Sequence, residues 1–196
     1  MSRSMYDMKG FSQFFKEEMQ LEKKSIFHVD LVRQLGGRSF GKGLFKVFRQ
    51  EDLKYWTDNM LEVFPGLRNK FSLFGFDWLG RCFAVDEDPQ SSNNGNVIML
   101  VVDDINVYEI PCSAEQMLNE LFSQNPEALL EVTLYDEWLQ KNPPVVYEDC
   151  AGPQVPSFLN GSFELSNMAR INMDVYWSVT AYYINHVWDQ TENRES

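Results

Sequence analysis

The sequence predicts an α+β protein: a mixed, mainly antiparallel sheet with helices packed against it, as one compact globule or two closely packed subdomains. Three observations carry that expectation. Phe74 to Asp86, reading FGFDWLGRCFAVD, sets two aromatic-rich runs either side of an Asp-Trp-Leu-Gly turn. Phe74, Phe76, Trp78, Phe83 and Val85 suit a pleated, half-buried backbone, while Gly75 and Gly80 allow a close approach or a positive φ. Apolar residues at helical spacing recur on both sides of this tract. Finally, 196 residues that are 44% hydrophobic and 14% aromatic supply a substantial core.

The elements follow in order. Phe11, Phe14, Phe15 and Met19 fall at helical spacing and predict an amphipathic helix from Phe11 to about Lys23. A short helix from His28 to Leu35 is stopped by Gly36-Gly37, and Leu44 to Phe48 reads as a strand. Leu53, Trp56, Met60, Leu61 and Phe64 form one side of a helix over Glu51 to Phe64, ended by Pro65-Gly66. Strands Lys70 to Phe76 and Arg81 to Asp86 flank the Asp-Trp-Leu-Gly turn. The acidic, Asn-rich loop Asp86 to Asn96 leads to an apolar strand, Val97 to Val102, with Asn106 to Ile110 placed to pair with it.

Beyond Pro111, Ser113 with Gln116 three residues on signals a capping box and a helix to about Phe122. A second helix spans Pro126 to Gln140, stopped by Asn142-Pro143-Pro144. Val145 to Gly161 is loop with a short strand, and Leu165 to Ile171 is a last strand. Asn172 caps a helix to about Val187, with Asp174 in its positive first turn, and the tail from Asp189 is polar.

Composition excludes whole classes of function. No run approaches the roughly 18 apolar residues that span a bilayer, and the charged N-terminus does not read as a signal peptide, so the expected location is the cytoplasm without membrane contact. Cys82, Cys112 and Cys150 are odd in number and far apart, which fits reduced thiols in a core. Residues 1–81 carry 14 Lys and Arg against 10 Asp and Glu, whereas residues 82–196 carry 3 against 19. A segment at −16 repels phosphates, so direct nucleic-acid binding is not expected and a basic protein is the natural partner. Acidity for solubility alone is the plainer alternative.

Catalytic signals are weak. Gly36 to Lys42 matches the start of a phosphate-binding loop, but Gly43 stands where Ser or Thr would hold magnesium, and the segment leaves a helix to enter a strand. His28 and His186 are the only histidines and there is no Cys-x-x-Cys, so no zinc site is expected. Asp86-Glu87-Asp88 and Asp103-Asp104 follow no calcium-loop pattern. No nucleophile-elbow pattern surrounds any serine or cysteine, so neither an enzyme nor a cofactor is expected.

A second tract, Cys150 to Trp177, places Val155-Pro156-x-Phe158-Leu159-x-Gly161 ahead of Met173-Asp174-Val175-Tyr176-Trp177. Joined to FGFDWLGRCFAVD, the Ser39-Phe40-x-x-Gly43-Leu44 turn, Glu109-Ile110-Pro111-Cys112-Ser113 and Tyr135-x-x-Trp138-Leu139, it strongly resembles one family. These are the bacterial type VI secretion immunity proteins that protect against a DNase effector, with a GAD-like N-terminal domain and an immunity C-terminal domain. The resemblance runs from about Phe11 to His186. It implies a GAD-like domain over 1–104, an immunity-type domain over 105–188 and a tail over 189–196. The implied function is a cytoplasmic binding protein that holds a cognate nuclease toxin inactive. The motif residues Gly75, Asp77, Trp78, Gly80, Arg81, Val155, Pro156, Asp174, Tyr176 and Trp177 then have architectural roles.

The charge asymmetry adds a physical expectation to that family. A DNA-cutting toxin needs a positive cleft, so an acidic inhibitor is steered to it and occludes it. The candidate contacts are loop carboxylates: Glu87, Asp88, Asp103, Asp104, Glu148 and Asp149. For each, a solvated surface charge is the plainer alternative. A second function class is a small-ligand or regulatory module with an aromatic-lined pocket around Trp78 and Trp177.

Overall fold

The computed structural model describes residues 4–192. Six strands form one antiparallel sheet in chain order: β1 (Ser39–Phe40), β2 (Phe45–Val47), β3 (Phe71–Asp77), β4 (Cys82–Asp86), β5 (Val97–Val101) and β6 (Asn106–Ile110). A separate antiparallel ladder pairs β7 (Asp149–Pro153) with β8 (Met168–Asn172). The fold is α+β and mainly antiparallel, as the sequence predicts.

Both faces of the main sheet are covered, and strand alternation sorts the side chains between them. Phe45, Val47, Phe83, Val85, Val97, Met99 and Ile110 enter one core with α1 (Lys9–Phe15) and α2 (Phe27–Leu35). Phe71, Leu73, Phe76, Cys82, Ala84, Ile98 and Leu100 enter a second core with α3 (Leu53–Val63) and α8 (Met173–Glu192). A β-bulge sits in β3, where Leu73 pairs with Ala84 and Gly75 with Phe83, leaving Phe74 as the extra residue. Phe74 belongs to the first core and the Phe45 ring stands over Gly75, so there is no room for a side chain at 75.

Several helices differ from their expected extents. α1 ends at Phe15 because Lys16 turns left-handed at φ 56. Met19, expected on the same helix, is buried from a loop, where its N–H donates to Ser12 Oγ at 3.0 Å. The capping box forms: Ser113 Oγ accepts from the Gln116 N–H, and Gln116 Oε1 accepts from the Ser113 N–H. It opens α4 (Ala114–Gln116), which runs through a π turn at Met117–Leu121 into α5 (Phe122–Gln124).

The helix expected over Pro126 to Gln140 is two helices, α6 (Pro126–Leu130) and α7 (Val132–Leu139), broken at Glu131 with φ 50. The break frees the last carbonyls of α6, which accept from Arg81 and Trp78 instead of from a continuing helix. β8 starts only at Met168, since Leu165–Asn167 makes a 3-10 turn. Asn172 Oδ1 accepts from the N–H groups of Asp174 and Val175 and caps α8. α8 runs to Glu192, past its expected end at Val187 and into the segment read as a tail; the remaining tail, 193–196, lies outside the described residues.

The boundary expected between residues 104 and 105 falls in the turn between β5 and β6. These strands pair over five residues from Val97↔Ile110 to Val101↔Asn106, and the first core also draws on Phe11, Phe83, Leu118, Trp138 and Met168. The sheet and its core therefore cross that position without a break.

Gly75→Ala would place a methyl 2.5 Å from a Phe45 ring carbon. It is expected to lower unfolding stability by about 1–3 kcal/mol, the range for overpacking a core. Gly66→Ala meets no heavy atom within 4 Å and is expected to leave stability unchanged within about 0.5 kcal/mol, both read from denaturant unfolding.

Candidate functional site

The first motif is built into the interior. Asp77 is fully buried and accepts from the N–H groups of Leu79 and Arg81 and from Arg81 Nε at 2.6 Å. Burial pushes its carboxyl up, and the Arg81 guanidinium pulls against that. Trp78 is enclosed, with Nε1 donating to Leu130 O at 2.8 Å, and Trp177 is enclosed, with Nε1 donating to Gly80 O at 3.0 Å. The pocket expected around these two tryptophans is thus filled by core. In the second motif, Val155 exchanges two hydrogen bonds with the Asn167 amide, and Gly161 donates to Pro156 O. Asp174 accepts from Tyr55 Oη, and Tyr176 is buried.

The six candidate carboxylates fall in three places. Glu87 and Asp88 follow β4 at one end of the sheet. Glu87 accepts from Ser72 Oγ at 2.6 Å and lies 3.9 Å from His28 Nε2, while Asp88 pairs with Lys70 at 2.9 Å. The N–H of Gln90 and the Lys70 ammonium hold the Asp88 carboxyl below its usual range. Glu148 and Asp149 enter β7 beside β2, paired with Arg49 and Arg170 respectively. The hydrogen bond from Arg49 lowers the Glu148 carboxyl. Asp88, Glu148 and Asp149 are thus each matched by a Lys or Arg, whereas Glu87 meets only Ser72 and His28.

Asp103 and Asp104 differ. They form the β5–β6 turn, at the opposite end of β4 from Glu87 and on the order of 20 Å away at the rise of a strand. Asp103 accepts from the N–H and Oγ of Ser157, and Asp104 accepts from Tyr108 Oη. Among the described residues neither pairs with a Lys or Arg. They rim a groove of about 530 Å³ floored by Met99, Val101, Ile110 and Leu129. Tyr108 and Phe163 line the same groove and are 42% and 55% exposed. Arg81 reaches it, but its guanidinium is held by Asp77 and by Leu129 O.

The sequence reading singled out neither Tyr108 nor Phe163. Phe163, an aromatic between Ser162 and Glu164 in a polar loop, was the signal available; Tyr108 reads as an ordinary strand residue.

Smaller recesses carry other groups. His28 lines two, of about 220 and 410 Å³, with its Nε2 buried and making no hydrogen bond. Burial lowers its imidazole, against the pull of Glu87. Arg49 lies over the Tyr147 ring in another, next to the wholly buried Lys46, whose Nζ donates to Asp149 O at 2.7 Å. Burial brings the Lys46 amine down to about 8. Gly36 to Lys42 leaves α2 and leads toward β2, the strand expected at Leu44 to Phe48, but it forms β1 and the start of a 3-10 turn on the way. Its far end packs so closely that a Cβ at Gly43 would lie 2.0 Å from Val145 O, and Lys42 O accepts from Tyr135 Oη. That is a packed turn, not a phosphate cradle. Among the described residues no three His, Cys, Asp or Glu side chains group as metal ligands, and no helix is long and apolar enough to cross a membrane.

No family model matches the chain and no curated protein does. The fold is similar to the crystal structure of Atu4351 from Agrobacterium tumefaciens. The TM-score is 0.52 at 17% sequence identity, covering 79% of this chain and 73% of that one. At that identity the likeness is one of fold.

Lys46 gives the interior a pH signature. Between about 8, where the folded amine releases its proton, and 10.5, where the unfolded one does, the unfolded chain binds more protons, so stability rises with pH. The buried Cys and Tyr groups titrate in the opposite sense, but a comparison with Lys46→Met cancels them. The stability of the wild type minus that of Lys46→Met is expected to rise by about 2 kcal/mol from pH 7.5 to 10 in parallel urea titrations.

Proposed function

We propose that this chain is an immunity protein that binds and neutralises a cognate nuclease toxin, and that the groove at the β5–β6 turn is its contact. The observation that carries the reading is the groove itself. Two carboxylates without cationic partners stand over an apolar floor beside two exposed aromatics, in a chain of net charge −12. Apolar centre and charged rim are how protein interfaces divide their work, the first giving affinity and the second steering and register.

The ordered sequence motifs that resemble the type VI secretion DNase-immunity family support the same reading. So does the structural role of their residues: Asp77, Trp78, Arg81 and Trp177 are used up inside, which leaves recognition to the surface. Of the six carboxylates expected at the contact, Asp103 and Asp104 are retained. Glu148, Asp149 and Asp88 hold Arg49, Arg170 and Lys70 and have less charge to offer, and Glu87 lies at the far end of β4 from the groove, beside Ser72 and His28. The toxin meets its inhibitor in the cytoplasm of the producing cell.

The test is binding of the nuclease encoded beside this gene, measured at two salt concentrations. Asp103→Asn with Asp104→Asn keeps acceptors for Ser157 and Tyr108 while removing two charges. It is expected to slow association several-fold at low salt and to reduce the salt dependence. Asp88→Asn, which breaks a surface pair, is expected to change association less than twofold. Equal association for all three proteins would remove the groove from the contact, and no binding to the nuclease would remove the function.

A further inference from the structure

We infer that the outer edge of β6 receives an extended, Lys- or Arg-bearing segment of the toxin as a seventh strand of the main sheet. This rests on the reading of the β5–β6 groove as the toxin contact and specifies how that contact is made.

β6 is the last strand of the sheet, paired with β5 on one side and, among the described residues, with no strand on the other. Its counterpart at the far edge, β1, has only two residues. β6 has no bulge, proline or lysine to protect its edge, and its one charge is Glu109: its register with β5 is unbroken, and its sequence is Asn-Val-Tyr-Glu-Ile. The Val107 N–H turns away from the ladder and donates to Oδ1 of its own neighbour, Asn106, at 2.9 Å. By the two-residue period of an antiparallel pair, the Glu109 N–H also faces outward. The edge thus has donors in place for an incoming strand, once the Asn106 side chain swings aside.

The surroundings select the occupant. In strand addition, main-chain hydrogen bonds supply affinity and pockets beside the edge read alternate side chains. The groove lies on the Tyr108 and Ile110 side of β6 and takes apolar or aromatic side chains against Met99, Val101 and Leu129. Asp103, Asp104 and Glu109 carry three negative charges along the strand and the turn before it, with no Lys or Arg paired to them among the described residues. Cations on the added strand complement them. A second copy of this chain would bring the same three carboxylates to the edge and be repelled.

Amide hydrogen exchange on the full-length protein, free and saturated with the catalytically inactivated nuclease encoded beside its gene, tests the inference. At least tenfold slower exchange is expected at Val107 and Glu109 in the complex. Exchange at both amides as fast as in the free protein would overturn strand addition while leaving toxin binding standing; failure to form a complex would overturn both. Protection that appears in the free protein as its concentration rises would give the edge to a second copy, and would also overturn the inference. Val107→Pro removes an outward donor without taking a bond from β5, and is expected to weaken toxin binding at least tenfold while the protein stays folded. If this variant unfolds, the wild-type exchange decides alone. If it folds and binds normally, strand addition is wrong.

Discussion

The structure depends on one buried turn. From Asp77 to Arg81 the β3–β4 connection lies inside the protein, where an unpaired peptide group or charge is costly. Its polar atoms are therefore spent on neighbours far away in sequence. The Trp78 N–H donates to Leu44 O, Trp78 O accepts from the Ala151 N–H, and Gly80 O accepts from the Trp177 indole. Trp78 Nε1 and the Arg81 guanidinium take the terminal carbonyls of α6. One five-residue turn thereby fixes β2, α6, β7 and α8 around the sheet. Gly80, at φ 78 and packed on Cys150, supplies the backbone shape that the turn needs.

This arrangement separates what holds the fold from what remains at the surface. The aromatic and ionic residues of the sequence motifs are consumed by the interior, Asp77 by Arg81 and Trp78 and Trp177 by backbone oxygens, and so is Lys46, by the Asp149 carbonyl and the Phe76 ring. Where surface carboxylates meet a cation from a neighbouring element, as at Arg49 with Glu148, they join parts of the fold to each other. Asp103 and Asp104 meet none. Their turn closes the last hairpin of the sheet, so the unpaired charge and the unpaired strand edge arise at the same place.

Local signals were legible wherever a short stretch of chain decides the outcome. The capping box at Ser113, the glycine stop after α2, the Asn172 cap and the FGFDWLGRCFAVD hairpin depend on residues within a few positions of one another. The misjudged elements depend on distant partners. Nothing near Glu131 announces that α6 must end there; the cause is Arg81 and Trp78, some fifty positions earlier. Met19 kept its predicted burial but lost its helix, because apolar spacing reports which residues turn inward and not the backbone that carries them there.

By itself the sequence determined the fold class, most of the elements in their order and the acidity of the later part of the chain. Hydrophobic period, turn chemistry and composition are properties of the chain, and they suffice for these. The tertiary structure alone decided which carboxylates meet a Lys or Arg and which do not. A charge's partner is set by distance in space, and Glu148 meets Arg49 only after about a hundred residues of intervening chain have folded. It also decided that β6 is the open edge, since a strand's outer side is defined by what does not pack there.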